Sequence, residues 1–305
     1  MSRPDTGFLR GSFAPVITPF KDNGDVDYDA YTRLVDFQVA GGSHGIVVNG
    51  TTAEPSVLSV DERRTLLEVA LQTVQGRVPV IAATGSQSLL ETRALTDHAQ
   101  KVGARALLIV TPYYIKPPQR GLAAYYKDLG QRTELPMLIY HIPGRAGVSI
   151  TVETLEDIIA STPHLIGMKH AATELGLITE AIAKFGSQFR IFVGLEELSL
   201  PMLVLGACGM VNAVSNLAPR QVSKLYEAVA EGDLARARRL HYELFELNRA
   251  VFYDTNPIPI KYMAKKLGIL PENHHRLPMM PATADVARRL DAVLAASGLL
   301  SKTGA

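Results

Sequence analysis

Lys169 closes the apolar stretch His164-Leu-Ile-Gly-Met-Lys169, which otherwise reads as a buried strand. An amine taken out of water is disfavoured in its charged form, and a neutral lysine amine is the nucleophile of Schiff-base chemistry on carbonyl compounds. Lysines such as Lys101, Lys127, Lys184 and Lys265 fall instead on expected helix faces or in loops and tails, where a solvated charge is the ordinary state. Lys169 alone is placed for catalysis. The alternative is a strand-end lysine whose stem covers apolar surface while its head reaches water, so its surroundings decide between the two.

Other reactive side chains stand at comparable places. Thr51 and Thr52 follow a second apolar run, Thr84 a third, Tyr113 and Tyr114 a fourth, Tyr140 and Arg145 a fifth, and Gly194 a seventh. An amine, phenols and hydroxyls able to relay protons, amides of a Gly-Thr-Thr turn able to hold a carboxylate, and a guanidinium for a second anion together suit carbonyl condensation. A single tyrosine ordinarily buries its ring and hydrogen-bonds its tip. Three at strand ends weaken that explanation.

The elements that must position these groups are legible as apolar runs separated by helix-length amphipathic stretches, the pattern of parallel strands with helical crossovers. Eight runs are expected as strands: Phe13–Ile17, Gly45–Val48, Val78–Ala82, Ala106–Val110, Met137–Tyr140, Leu165–Met168, Arg190–Val193 and Gly209–Ala213. A helix follows each, with capping boxes expected at Ser59 and Ser88. Eight such units predict an α/β fold, a closed (β/α)8 TIM barrel over residues 1–232, whose chemistry belongs at the C-terminal ends of the strands. Beyond Gly232 strands give way to helices at Leu234–Phe252, Pro257–Leu267 and Thr283–Ala296, predicting a small all-helical C-terminal domain over residues 233–305.

Composition narrows the function. A 305-residue chain with 47% hydrophobic and 20% charged residues supports a large core, and a net charge of +1 leaves no footprint for nucleic acid or an anionic membrane. Small molecules are the expected partners. Cys208, the single cysteine, rules out an internal disulfide, and the polar opening Met1-Ser-Arg-Pro-Asp-Thr lacks a secretory apolar region, so a cytoplasmic location is expected. The stretch Leu198–Val214 is broken by Pro201, Gly206 and Gly209 and falls short of the roughly 20 apolar residues of a membrane helix. Neither metal nor other cofactor is expected: the histidines show no HExxH spacing, His274-His275 reads as a solvated loop pair, and no phosphate-binding glycine loop is present. Gly41-Gly-Ser-His-Gly45 matches the GxSxG hydrolase elbow, but an expected helix precedes Ser43 and a strand follows, the reverse of an elbow.

Five motifs, Gly50-Thr-Thr-Ala-Glu54, Thr111-Pro-Tyr-Tyr114, Leu138-Ile-Tyr-His-Ile-Pro-Gly-Arg-Ala-Gly147, Gly167-Met-Lys169 and Asn256-Pro-Ile-Pro-Ile-Lys261, occur in order from about Phe13 to Leu270. In these the chain resembles the dihydrodipicolinate synthase and N-acetylneuraminate lyase family of class I pyruvate-dependent aldolases. The resemblance implies that Lys169 forms an imine with pyruvate and that Tyr140 relays its protons. Thr51 would bridge Tyr140 to Tyr114, the latter reaching in from a neighbouring subunit of a homotetramer built as two tight dimers. Thr51 and Thr52 would hold the pyruvate carboxylate, Arg145 would receive the acceptor, and Gly194 and Val211 would line the pocket. Tyr-x-x-Pro-x-Arg is similar to the synthase branch, whose acceptor would be L-aspartate 4-semialdehyde.

Ala53, Pro55, His141 and His170 depart from the family pattern, where glycine, serine, asparagine and an acidic residue are usual. The resemblance would place all four on the acceptor side. His170 reads first as a strand-end packing residue. The departures leave open a sugar-acid aldolase or dehydratase of the same family, and a noncatalytic metabolite-binding barrel is the alternative of another class.

Overall fold

Strands covered on both faces are apolar throughout rather than alternating, and the eight apolar runs behave accordingly. In the computed structural model, which describes residues 4–300, they are β1 (Gly11–Pro15), β2 (Gly45–Val48), β3 (Val80–Ala83), β4 (Ala106–Val110), β5 (Met137–His141), β6 (Leu165–His170), β7 (Arg190–Val193) and β8 (Gly209–Met210). They follow one another in chain order around a closed barrel. The helices are α1 (Tyr28–Ala40), α2 (Val60–Val74), α3 (Leu89–Val102), α4 (Gln119–Gly130), α5 (Pro143–Ala146), α6 (Val152–Ser161), α7 (Gly176–Phe185), α8 (Ser199–Leu205), α9 (Pro219–Ala230), α10 (Leu234–Glu243), α11 (Phe245–Ala250), α12 (Ile258–Lys266) and α13 (Ala284–Ser297). The first three residues of the polar opening and the last five of the expected C-terminal domain lie outside the described residues. No helix among the described residues is long and apolar enough to cross a membrane.

The chain divides into two compact units, one of residues up to Arg10 with Pro79–Val211, the other of Gly11–Val78 with the chain from Asn212 onwards. In the first, β3 to β8 form consecutive parallel ladders. Ile81, Leu107, Met168 and Phe192 are fully buried there, each side chain contributing about 1.5–3 kcal/mol by leaving water. Gly167 has a specific task. A β-carbon on it would stand 1.9 Å from the Arg190 carbonyl oxygen, so only glycine lets β7 close on β6 two residues before Lys169. Ser88 caps α3 by accepting from the Glu91 N–H at 3.3 Å, but the expected reciprocal bond is replaced: Glu91 accepts from the Ser86 hydroxyl at 3.1 Å and the Ser88 N–H turns to Ser86.

The second unit pairs β1 with β2 in parallel and carries α1, α2 and α9 to α13. The capping box before α2 is complete, with Ser59 accepting from the Glu62 N–H at 3.1 Å and Glu62 accepting from the Ser59 N–H at 2.8 Å. Among the described residues no strand follows β8. The helix expected over Leu234–Phe252 is two helices, α10 and α11, that part at Leu244.

Candidate active site

Tyr140 and Lys169 stand directly opposite each other on β5 and β6, and opposed residues of neighbouring strands project to the same face. Both are buried, and the Lys169 Nζ lies 4.2 Å from the centroid of the Tyr140 ring. Lys169 does not end its strand as the sequence suggested. β6 runs on to His170 because Lys169 and His170 pair with Phe192 and Val193 of β7. Just past β7, the Gly194 N–H donates to the His170 carbonyl at 2.7 Å. A β-carbon on Gly194 would meet the Lys169 Cε at 3.0 Å, the Ala171 Cβ at 2.8 Å and the His170 oxygen at 2.8 Å. Glycine there leaves the lysine stem its room.

A second buried lysine differs in its surroundings. Lys261 is also fully buried, against the expectation of solvated lysines elsewhere, yet its Nζ donates to Glu54 Oε1 at 2.7 Å. Burial pulls its pKa below the ordinary lysine value, with Glu54 opposing. No carboxylate pairs with Lys169 among the described residues. A buried amine beside a phenol, with no carboxylate engaging it among the described residues, stands where a nucleophile for a carbonyl carbon is needed.

One residue further along both strands, His141 opposes His170. Their rings stack at 5.0 Å with 22° between planes, the two Nδ1 atoms are 3.1 Å apart, and His141 Nε2 is 2.7 Å from the Ser149 hydroxyl. Burial lowers the pKa of both; His141 is pushed down to about 4, with His170 reinforcing and Glu174 opposing the shift, and Glu174 also opposes it for His170. His170 is therefore one half of a buried pair rather than an isolated packing residue. Two histidines at the same offset after Tyr140 and Lys169 were the sequence signal for it.

Thr51 and Thr52 belong to the second unit. They follow β2 in a single 3₁₀ turn, Thr51–Ala53, capped by Glu54 in the left-handed conformation at φ 58°. The turn is tied from several sides. The Ala53 carbonyl accepts from Thr18 at 2.8 Å, Thr52 Oγ1 accepts from Asn256 Nδ2 at 3.1 Å, the Glu54 N–H donates to the Thr51 carbonyl at 3.1 Å, and Glu54 accepts from Lys261. His275, expected as a solvated loop residue, instead has its imidazole buried, with Nδ1 3.6 Å from Glu54 Oε2.

Four further expected residues, Thr84, Tyr114, Arg145 and Val211, follow the C-terminal ends of β3, β4, β5 and β8. Tyr114 follows β4 with φ 73° and is 85% exposed. Arg145 sits on the one-turn helix α5, exposed and without an ion-pair partner among the described residues. Val211, buried, continues β8 and donates its N–H to Val193 at 2.8 Å. Thr84 is buried with its hydroxyl accepting from Thr96 at 3.1 Å. Ser43 is buried between α1 and β2 and donates to Gln38 at 3.1 Å, so no hydrolase elbow forms. Among the described residues no group of three or more His, Cys, Asp or Glu side chains converges to hold a metal ion.

A parallel closed barrel bearing a buried lysine opposite a tyrosine at its strand ends is the build of a lysine-dependent lyase of the class I aldolase type. The model of the dihydrodipicolinate synthetase family matches residues 8–297, and the chain belongs to that family. It is 43% identical over 295 residues to the 4-hydroxy-tetrahydrodipicolinate synthase of Thermus thermophilus, covering 96% of this chain and 98% of the relative. The Aquifex aeolicus protein of the same name is 39% identical over 286 residues, covering 94% and 97%. Among solved structures, dihydrodipicolinate synthase from Aquifex aeolicus superposes with a TM-score of 0.93 at 38% identity over 95% of this chain and 98% of that one. A monomeric dihydrodipicolinate synthase variant superposes with a TM-score of 0.92 at 36% identity over 96% and 99%.

Proposed function

We propose that this chain condenses pyruvate with L-aspartate 4-semialdehyde to give 4-hydroxy-tetrahydrodipicolinate. The observation that carries the reading is the Lys169 amine, buried, without an acidic partner among the described residues and 4.2 Å from the Tyr140 ring. The amine attacks the ketone carbon of pyruvate, and loss of water leaves an imine whose methyl group gives up a proton to form an enamine. Tyr140 accepts and returns these protons. The enamine carbon then attacks the aldehyde of the acceptor, and the acceptor's own amino group displaces Lys169 from the imine carbon, closing the ring and freeing the enzyme.

Thr51 and Thr52 hold the pyruvate carboxylate through hydroxyl and backbone donors, with Thr51 relaying between Tyr140 and Tyr114. Gly194 and Val211 line the pocket. Arg145 receives the acceptor carboxylate; its exposure, with no ion pair among the described residues, favours a ligand over a loop salt bridge. The outward display of Tyr114 suits a ring that completes the relay of a neighbouring copy, which makes the working form a homotetramer of two tight dimers. The residues from 233 onwards act as a C-terminal helical domain appended to a barrel of residues 1–232. The enzyme works in the cytoplasm without a cofactor.

Incubation with pyruvate and borohydride, followed by peptide mass spectrometry, tests the reading. One reduced pyruvyl adduct on Lys169 is expected, and none in Lys169→Ala. An unmodified Lys169 in a protein that demonstrably binds pyruvate would refute it.

A further inference from the structure

Asn256-Pro-Ile-Pro-Ile-Lys261 has no part in the chemistry above, yet both of its polar ends run to the turn that carries Thr51 and Thr52. Asn256, 204 residues from Thr52 in sequence, donates from Nδ2 to Thr52 Oγ1 at 3.1 Å, with both residues buried. Lys261 reaches the cap of the same turn, donating to Glu54 at 2.7 Å and to the His274 carbonyl at 2.8 Å while lying 4.2 Å from the Phe20 ring centroid. A threonine hydroxyl has one hydrogen and two lone pairs. When an amide N–H occupies a lone pair, the hydroxyl hydrogen is left for another acceptor, and its direction is confined.

We propose that Asn256 and Lys261 are positioning residues for the carboxylate of pyruvate, Asn256 by turning the Thr52 hydroxyl hydrogen toward it and Lys261 by fixing the left-handed cap at Glu54. The inference rests on Thr52 being a carboxylate donor, as proposed above. Neither residue touches the reacting carbon. Their loss therefore weakens capture of pyruvate and leaves the later steps nearly unaltered once the imine exists.

Asn256→Asp is the sharpest perturbation, because a carboxylate at that place can only accept. It takes the Thr52 hydrogen for itself and sets a negative charge near the substrate's own. The pyruvate KM is expected to rise roughly 10- to 100-fold, the range for losing a hydrogen bond to a charged group, with kcat and the KM of the aldehyde changed by less than roughly 3-fold. Asn256→Ala frees the hydroxyl to rotate and raises the pyruvate KM by a smaller factor. In a Thr52→Val background Asn256→Ala adds nothing further, since the two act through one hydroxyl. Lys261→Met repeats the KM effect if it folds; should it or Asn256→Asp fail to fold, the Asn256→Ala and Thr52→Val cycle decides alone. A Thr52→Val variant with raised pyruvate KM beside Asn256 variants that bind normally, or additive effects in the double variant, would overturn the inference. Thr52→Val with unchanged pyruvate KM and normal adduct formation on Lys169 would instead locate the failure in the assignment of Thr52, and the inference would fall with it. Loss of the Lys169 adduct in the wild-type protein would mark failure of the proposed chemistry itself.

Discussion

Acidification from pH 7 to about 4.5 is expected to destabilise this protein in large part through the stack of His141 on His170. The two Nδ1 atoms at 3.1 Å can share only one hydrogen, and His141 Nε2 is already engaged with the Ser149 hydroxyl at 2.7 Å. In the fold His141 takes its proton only near pH 4, because burial and then the neighbouring His170 oppose the charge, with Glu174 on the other side of the balance. His170 is lowered by burial as well, against the field and backbone of Glu174 and the backbone of Ala172. In the unfolded chain an imidazole protonates near its ordinary value of about 6.5. Between those two values the unfolded state binds the extra proton, so the stabilisation is whole above about pH 6.5 and is lost as the pH falls toward 4. For His141 alone, a gap from 6.5 to about 4 is worth roughly 3 kcal/mol over the full window, of which roughly 2.5 kcal/mol is gone by about pH 4.5. The pair titrates as a unit, so this is the scale of the pair's first proton rather than a sum over two rings. Urea unfolding at both pH values measures the loss. Comparison with His141→Asn/His170→Gln removes the contribution of carboxylates such as Glu62 and Asp128, whose partners Arg276 and Arg93 hold them below their ordinary range. A double variant that loses as much stability across this window as the parent would refute the assignment.

Gly194→Ala places a methyl group 3.0 Å from the Lys169 Cε and is expected to slow borohydride-trapped imine formation at least roughly 10-fold, by the sensitivity of a close-packed reacting group to misplacement; trapping at the wild-type rate in the folded variant would contradict the crowding. Arg145→Ala is expected to form the imine normally while kcat/KM for the aldehyde falls roughly 100-fold; loss of imine formation with an intact fold would move Arg145 to the donor end. Sedimentation is expected to give a tetramer whose activity is lost on dissociation, and a fully active monomer would exclude a relay through Tyr114 of a second copy. Lys261→Met strands the Glu54 carboxylate, whose side chain is 2% exposed, at a cost of about 3–5 kcal/mol measurable by denaturant midpoint, and Glu54→Gln/Lys261→Met should recover part of it.

What the sequence displays well is anything set by near neighbours in the chain. Strands covered on both faces are continuous apolar runs, and glycine–polar breaks in the sequence separate all eight. The Ser59 box is complete because its partner lies three residues away. Ends are different, since a strand stops where its neighbour stops pairing: β6 carries two polar residues, Lys169 and His170, because Phe192 and Val193 remain opposite them. The polarity of those two residues pointed to a boundary that the ladder does not respect. The same limit hid the burial of Lys261 and His275, whose common partner, Glu54, stands 207 residues from Lys261. A lysine next to Ile260 in an apolar stretch carries no mark of a distant carboxylate. Nor does an asparagine before a proline announce that it will grip Thr52.

The candidate site divides along this line. Lys169 and Tyr140 were readable because each ends an apolar run, and the Thr51–Thr52 turn because Gly50 opens it. The groups that aim them were not, since they act across the fold: Gly167 admits β7, Gly194 spares the lysine stem, and Asn256 and Lys261 brace the threonine turn. His141 and His170 stand between the two cases. Their types and equal offsets after Tyr140 and Lys169 were visible, but only the register of β5 against β6 turns two unrelated departures from the family pattern into one buried contact. Because it joins the two strands that carry the amine and the phenol, a substitution at either histidine is constrained by the other. Exchange of one alone leaves a buried imidazole without its partner, so the pair is expected to change together.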